Sequence, residues 1–241
     1  MNGAGDGNGG RASVSDHALA EVTPVLAAGV GVRRGWGWAL RSASFRLAAP
    51  GTGRPAIGIA VSSHAEGSAL VDLLAGHARL AHGELRVLGQ DMATARGRAA
   101  VRAQVGVARR ILKPQPALRV RGLVDHAARL PRLPASDRAL LAAAIMDRLA
   151  LTPWAEVPLR TAPDVIGRRA RLAAAAVHQP DLLLIDGLLD DLVPRDAAAL
   201  ADAIRELSRD TAIVVTGQDT RALRLACNDV LTLSYGIIFR S

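Results

Sequence analysis

The chain of 241 residues has few aromatic residues, one cysteine and one lysine. Because aromatic side chains make up only 2% of it, a hydrophobic core has to be built from alanine, leucine and valine, and a hydrophobic content of 50% is ample for that. The lone cysteine, Cys227, excludes an internal disulfide framework. We interpret it as a small core residue rather than a nucleophile, because no histidine lies near it in sequence.

Long apolar runs are also missing from the sequence. No run approaches the roughly 18 residues that a membrane-spanning helix needs, and the N-terminus does not show the basic-then-apolar pattern of a signal peptide. These absences predict a cytoplasmic protein that any membrane partner would hold as a separate subunit. The length fits one domain with a lobe, or two small domains.

The chain is strongly basic, with a formal net charge of +8 and an isoelectric point near 11.2. Such a charge is typical of proteins that bind nucleic acid. However, Lys113 is the only lysine among the 30 basic residues, the arginines are scattered, and no aromatic residues interleave with them for base stacking. We therefore predict that the chain does not bind nucleic acid. An acidic membrane surface or an acidic loop of a partner remains an open alternative.

The composition changes near residue 25. Residues 1–24 are rich in glycine, asparagine, alanine and serine, and such a segment cannot bury enough apolar surface to offset the entropy that is lost when it becomes ordered. We predict a disordered tail at 1–24 and a folded domain over 25–241.

Residues 180–219 have the pattern of a strand, a helix and a second strand. The apolar run at 182–185 ends in Asp186, as expected for a strand that is buried on both faces of a parallel sheet. Pro194 favours a helix start, and the β-branched run at 212–215 predicts the second strand. This order predicts a right-handed crossover, with Asp186 at the end of the sheet where ligands bind in parallel α/β folds.

Two other regions show regular patterns. Residues 25–61 predict strands joined by turns, and the alternation of Ala43, Phe45 and Leu47 with polar residues predicts a half-buried strand. Residues 117–160 predict helices. Their apolar stripes are formed by Val120, Leu123 and Val124 and by Leu140, Leu141, Ile145 and Leu149.

The order of these elements resembles the core of an ATP-binding cassette (ABC) ATPase. The segment LLLIDGLLDDLVP is similar to that family's Walker B motif and D-loop, VVTGQD to its switch segment, and VSSHAEGSALVDLLAG to its Walker A motif. The likeness includes the Q-loop strand at 105–110, the signature position at 161–178 and the closing hairpin at 226–238. It implies an α/β fold: a RecA-like parallel sheet with an N-terminal antiparallel β-subdomain, and a small helical subdomain inserted at about 117–165.

The Walker A position departs from the family's pattern. Val61, His64 and Glu66 replace three glycines, whose amides curl around the phosphates in conformations that other residues avoid. Gly67 replaces the lysine, whose charge-assisted hydrogen bond commonly contributes ~1.5–3 kcal/mol. We therefore expect ATP and magnesium, the ligands that the resemblance implies, to bind weakly or not at all.

The resemblance also assigns the residues nearest to a nucleotide: Gly67, Ser68, Ala69 and Arg34. Ser68 and Asp186 would hold the magnesium ion. Ser68 could instead cap a helix, and Asp186 could cap the next segment or pair with an arginine. Arg34 stands near the family's adenine-stacking aromatic residue and could itself stack on a base. Trp36 or Trp38 could substitute for it, or the hairpin could be an ordinary surface turn.

Five more positions depart from the family's catalytic pattern. Arg110 replaces the Q-loop glutamine, Pro163 and Asp164 lie in the signature, Gly187 replaces the catalytic glutamate, and Gln218 replaces the switch histidine. Pro163 lacks a backbone donor, and Asp164 adds a negative charge where the family caps the γ-phosphate. A positioned general base typically contributes ~10²–10⁴-fold in rate. We therefore predict no catalytic residues in this chain and no autonomous ATPase activity.

The function that follows is a degenerate ABC nucleotide-binding subunit, a pseudo-ATPase that acts as a non-catalytic partner in a transporter. Its partners would be an ABC membrane subunit, an ATPase-competent ABC subunit, or both, and it would lie in the cytoplasm, peripheral on the inner face of the cell membrane. One alternative is an ABC-fold regulatory or interaction protein that does not use nucleotide. Another is an ATPase that works through unfamiliar residues.

Overall fold

The computed structural model describes residues 23–34, 37–47, 56–110, 118–130 and 133–240. The predicted tail at 1–24 lies outside these residues, except for its last two positions. Within the described ranges, the strands are β1 (Val25–Arg34), β2 (Gly37–Leu47), β3 (Ala56–Val61), β4 (His82–Val87), β5 (Gln90–Asp91), β6 (Val105–Arg109), β7 (Leu182–Asp186), β8 (Ala212–Gly217), β9 (Asp229–Ser234) and β10 (Ile237–Arg240). The α-helices are α1 (His64–Leu74), α2 (Ala95–Gln104), α3 (Val120–Ala128), α4 (Arg138–Arg148), α5 (Asp164–Ala176), α6 (Pro194–Leu207) and α7 (Thr220–Ala226), and Thr152–Trp154 forms a short 3-10 helix.

The described strands form one mixed sheet in the order β5-β4-β1-β2-β10-β9-β3-β8-β7-β6. Strand β1 pairs antiparallel with β2 and β4, whereas β9, β3, β8, β7 and β6 run parallel to one another. Strand β10 joins the two parts, because it pairs with β9 on one side and through Ile237 with Ser42 of β2 on the other. The predicted α/β fold, with a parallel sheet and an N-terminal antiparallel part, is confirmed.

The parallel strands are buried because apolar side chains cover both faces of the sheet. Along β7, Leu182 and Leu184 pack in a core with Leu70 and Leu74 of α1. Leu183 and Ile185 point to the other face, into a core formed with α5 and α6. The uninterrupted apolar run of the sequence therefore serves two cores at once, as expected for a central parallel strand.

Helix α6 begins at Pro194, as the sequence predicts. Proline suits this position because the first turn of a helix leaves its backbone N–H groups unpaired in any case. One apolar face of this helix is buried, and its members are Leu200, Ala203, Ile204 and Leu207. This face packs against β7 and β8, the two strands that α6 connects.

Helices α3 and α4 lie in the predicted helical region, and their apolar stripes are largely as expected. Val120, Val124, Ile145 and Leu149 are buried. The prediction for Leu140 is wrong, because its side chain is 72% exposed. Each helix position is rotated by about 100° from the one before it, so Leu140 lies about 140° around the helix from Ile145 and falls outside the buried face. The boundaries of a subdomain at about 117–165 stay a prediction.

The described helices are all too short or too polar to cross a lipid bilayer.

Candidate functional site

The carboxyl ends of four parallel strands meet at one edge of the sheet. Arg109 at the end of β6 is paired in register with Asp186 at the end of β7, and Asp186 is paired with Thr216 of β8. Gly217 of β8 lies opposite Ala60 of β3. Because β3 leads directly into α1, the first turn of that helix lies at the same edge. This is the place where open parallel sheets bind ligands.

Helix α1 begins at His64, immediately after a two-residue connection from β3. Ser63 is its N-cap, and the Ser63 side chain accepts a hydrogen bond from the backbone N–H of Glu66 at 3.3 Å. The N–H groups of Glu66 and Gly67 also donate to the carbonyl oxygen of Ser63. Two of the amides at the start of this helix, those of Glu66 and Gly67, are therefore used inside its first turn.

Position 67 is closely packed against the neighbouring strand. Gly67 is buried, and a Cβ atom added to it would lie 3.1 Å from Thr216 Oγ1 and 3.4 Å from Val61 Cγ2. Ala69 is buried as well. Two of the positions assigned to nucleotide by resemblance therefore face the sheet rather than an open cleft.

Asp186 and Ser68, the predicted magnesium ligands, are brought together by the fold. Ser68 Oγ donates a hydrogen bond of 2.7 Å to Asp186 Oδ2, and Thr216 Oγ1 lies 3.3 Å from Asp186 Oδ1. Arg109 approaches Asp186 Oδ2 to 3.9 Å and also forms an ion pair with Asp72. The Asp186 carboxylate is thus held by hydroxyl groups and an arginine. Among the described side chains, no cluster of three or more metal-ligating His, Cys, Asp or Glu residues is found.

Gly187, at the position of the family's catalytic glutamate, adopts a left-handed backbone conformation with φ of +67°. Glycine reaches this conformation without steric cost, whereas other L-residues do not. A Cβ atom here would lie 3.3 Å from Asp190 Oδ2 and 3.7 Å from His64 Nδ1. A glutamate side chain would therefore start beside a second carboxylate.

Arg110 and Gln218 both turn toward neighbouring loops. Arg110 forms an ion pair of 2.5 Å with Asp191, and its Nη2 lies 3.4 Å from His64 Nε2. Gln218 Nε2 donates to the carbonyl oxygen of Ser62 at 3.1 Å. These contacts tie the segments after β6 and β8 to the start of α1.

Asp190 is a site residue that the sequence analysis missed. It lies in the turn after β7, is only 2% exposed, and accepts hydrogen bonds from the backbone N–H groups of Gln218 and Asp219. Burial raises the pKa of its carboxyl group, and the two backbone hydrogen bonds and His64 partly oppose that increase. The pair of acidic residues just after a predicted buried strand was the available signal.

The signature position forms the start of α5. Pro163 is the N-cap, and the Asp164 carboxylate accepts hydrogen bonds from Nε and Nη2 of Arg168, at 2.9 and 2.6 Å. Arg168 is almost fully buried and also donates to the carbonyl oxygens of Leu188 and Asp190. The negative charge predicted for Asp164 is therefore compensated within the chain, and Arg168 fixes the turn after β7.

The predicted adenine contact can be described only in part. The side chain of Arg34 lies outside the described part of the chain, as does Trp36. The neighbouring Arg33 places its guanidinium 4.8 Å from the ring centre of Trp38, and the ring of Trp38 lies 5.1 Å from that of His82. Within the described part of the chain, Trp38 therefore packs against Arg33 and His82.

Comparisons with known proteins agree with this fold. No protein-family model matches the chain. The methionine import ATP-binding proteins MetN 2 of Burkholderia mallei and Burkholderia pseudomallei are each 25% identical to it over 207 residues, which is 84% of this chain. ABC transporter A family member 8 of Dictyostelium discoideum is 22% identical over 111 residues, covering 46% of this chain and 13% of that protein.

A solved structure, that of CbiO1 from Clostridium perfringens, part of the ABC transporter complex CbiONQ, matches with a TM-score of 0.77. The match covers 90% of this chain and 87% of CbiO1, at 16% sequence identity. The chain has the fold of an ABC ATP-binding subunit and is similar to such proteins in sequence. It spans about half (51%) of the length of the MetN relatives.

The cavity at the carboxyl edge of the sheet encloses about 120 Å³, whereas pockets for small molecules usually enclose about 300–1,000 Å³. The cavity is lined by His64, Ser68, Arg109, Arg110, Asp186 and Gly187. A larger cavity of about 330 Å³ lies at the opposite end of the strands, beside Pro180 and Thr211, far from these residues.

Proposed function

We propose that this ABC nucleotide-binding-subunit-like chain does not hydrolyse ATP and acts as the non-catalytic member of a transporter complex. Its partners are an ATPase-competent ABC subunit, an ABC membrane subunit, or both. In this proposal the chain lies in the cytoplasm, peripheral on the inner face of the membrane. The MetN relatives are import ATP-binding proteins by name, and CbiO1 is part of a transporter complex, which supports a role in transport.

The main observation in support is the packing at the Walker A position. The helix starts at His64, the amides of Glu66 and Gly67 donate to Ser63, and a Cβ atom at position 67 would require Thr216 to shift by a few tenths of an ångström. A lysine at this position would therefore begin in close contact with the neighbouring strand. Glu66 adds a negative charge to the same turn.

The loss extends to the other functional half of the chain. An ABC dimer places one subunit's Walker A motif against the other's signature, so each composite site uses both chains. Pro163 supplies no backbone donor at the start of α5, and Asp164 is occupied by Arg168. A partner's intact Walker A motif would face this altered signature. ATP-driven closure of such a pair would be weak, and stable pairing would depend on permanent contacts.

A turnover assay tests the catalytic part of the proposal. We expect phosphate release by the purified chain to equal that of a buffer control, and calorimetry with millimolar Mg-ATP to show weak binding or none. Steady phosphate release that Asp186→Asn abolishes would contradict the proposal. A micromolar dissociation constant, about −8 kcal/mol, would contradict the expected weak binding.

An assembly assay tests the partner role. The chain is co-expressed with the ABC ATPase or membrane subunit encoded beside it, and size exclusion is run with and without ATP. We expect co-elution in both conditions. Assembly that requires ATP would contradict permanent pairing, and a monomer that binds neither candidate would favour the alternative of a regulatory ABC-fold protein.

A further inference from the structure

The two oxygens of the buried Asp190 carboxylate have different surroundings. Oδ1 accepts hydrogen bonds from the N–H groups of Gln218, at 2.7 Å, and Asp219, at 3.2 Å. Oδ2 accepts no hydrogen bond from the described part of the chain and lies 3.4 Å from His64 Nδ1. One carboxylate thus contacts both the segment after β8 and the first residue of α1.

His64 extends this contact to a third segment. Its other ring nitrogen, Nε2, lies 3.4 Å from Nη2 of Arg110, which follows β6. Arg110 also contacts the turn after β7, because it forms an ion pair with Asp191. A neutral imidazole can accept from Arg110 at Nε2 and donate to Asp190 from Nδ1. The contacts therefore connect the segments after β6, β7 and β8 with the start of α1.

We propose that Asp190 acts as an internal ligand, which joins the segment after β8 to the start of α1 through His64 and keeps these loops in one arrangement without nucleotide. In the family that the chain resembles, the corresponding segments surround the nucleotide. Here a side chain of the protein connects them. This role follows from the contacts alone, so it can hold even if the proposed transporter role fails.

The proton on Asp190 affects this link. The charged or titratable groups that face it are His64 from α1, Arg110 from the end of β6, Arg168 from α5, and Asp191 and Asp219 from the adjoining loops. Asp186 lines the cavity that His64 and Arg110 also line. Because burial raises the pKa of Asp190 above its ordinary 3.8, its contribution to stability is complete below that pH. The contribution decreases as the pH rises through the folded-state pKa.

Hydrogen exchange of the Gln218 and Asp219 amides tests the link. Asp190→Ala removes the acceptor, and we expect exchange at both amides to accelerate about tenfold or more, since bonds to charged groups are among the stronger ones. Asp190→Asn keeps an acceptor oxygen and should preserve most of the protection. The control is Asp202→Ala, which removes an exposed acid of α6 that pairs with Arg205 and lies outside this path.

Melting temperatures from pH 4 to pH 8 give a second measurement, which remains informative if Asp190→Ala fails to fold. Asn cannot ionise, and its amide can donate toward His64. The melting temperature of Asp190→Asn should therefore exceed that of wild type by a margin that grows with pH. Unchanged exchange in Asp190→Ala would overturn the proposal. A pH-independent difference between Asp190→Asn and wild type would do the same if Asp190→Ala does not fold.

Discussion

Inside the parallel sheet, every residue of β7 and β8 is buried, and apolar packing on two faces holds the strands. At the carboxyl edge of the same strands, polar side chains bond to one another across loops. Asp186 accepts from Ser68, Asp190 holds the backbone after β8, and Arg110 pairs with Asp191. The interior specifies a fold, whereas the edge specifies which ligand the fold can accept.

The interior and the edge differ in which residue substitutions they tolerate. Interior positions need hydrophobic residues of a suitable volume, because a cavity or an overpacked site destabilises the whole sheet. Edge positions need polar groups that mostly find hydrogen-bond partners, and different sets of residues can provide them. The chain can therefore keep the interior of an ABC ATP-binding subunit while its edge is rebuilt around Asp190 and His64. Fold and chemistry are separable here.

The largest expected effect lies in the interior. Leu184 of β7 is fully buried, so Leu184→Ala should lower the free energy of unfolding by ~2–5 kcal/mol, through lost apolar burial and the cavity that remains. Urea unfolding measures this loss. Leu140→Ala is the matched control, because Leu140 is 72% exposed, and it should change stability by no more than about 0.5 kcal/mol. Equal losses in both variants would contradict the described packing.

Arg168 contacts both regions, and its substitution should give the next largest loss in the free energy of unfolding. Arg168→Met fills similar space but leaves the carbonyl oxygens of Leu188 and Asp190 without their buried donor. We expect a loss of about 1–3 kcal/mol in the free energy of unfolding. Arg205→Met is the control, since Arg205 forms an exposed pair with Asp202, and such pairs contribute ~0–1 kcal/mol. Wild-type stability in Arg168→Met would show that the turn after β7 does not depend on it.

The interior was largely predictable from the sequence. The apolar run at 182–185, the β-branched run at 212–215 and the proline at the start of α6 each specify local structure through burial or backbone geometry. Leu140 was mispredicted because a cluster of neighbouring leucines does not by itself show which face of a helix packs inward. The structure resolves this through Ile145 and Leu149, which define the buried face.

At the edge, only the features that the family resemblance implies could be predicted. The resemblance implies that Ser68 and Asp186 lie close together, and the structure places them in hydrogen-bond contact, because the helix and strand that carry them are common to the fold. It could not reveal the contact between His64 and Asp190, which are distant in sequence. That contact depends on the left-handed turn at Gly187 and on the start of α1 at His64, and neither follows from residue type alone.

A substitution at the edge that restores the family's residue should have a smaller effect on stability. Gly187→Glu imposes a left-handed conformation on an L-residue, which costs roughly 1–2 kcal/mol, and places a carboxylate beside Asp190. We expect this loss in urea unfolding, and no ATP turnover even when Gly67→Lys is added. Asp190→Asn combined with Gly187→Glu should recover part of the loss, because contacting residues are not additive. ATP hydrolysis in Gly67→Lys with Gly187→Glu would show that the edge is still a catalytic site.

Ionisation of the Cys227 thiol should have the smallest effect on folding stability, and this effect should appear only at high pH. Its side chain packs against the core on the α7 side, and burial raises the pKa of the thiol from 9.0 to about 12. Above pH 9 the unfolded chain gains stability by ionising this thiol while the folded chain does not, so folding stability falls as the pH rises from 9 toward 12. The loss should be about 1 kcal/mol between pH 9 and pH 10.

The variant Cys227→Ala tests this expectation, because alanine cannot ionise. The difference in the free energy of unfolding between wild type and this variant should be constant from pH 6 to pH 8. Above pH 9 the wild type should become less stable relative to the variant. Other groups that titrate in this range are the same in both chains and cancel. A constant difference up to pH 10 would mean that the thiol ionises as readily in the folded chain, and that Cys227 is not part of the apolar interior.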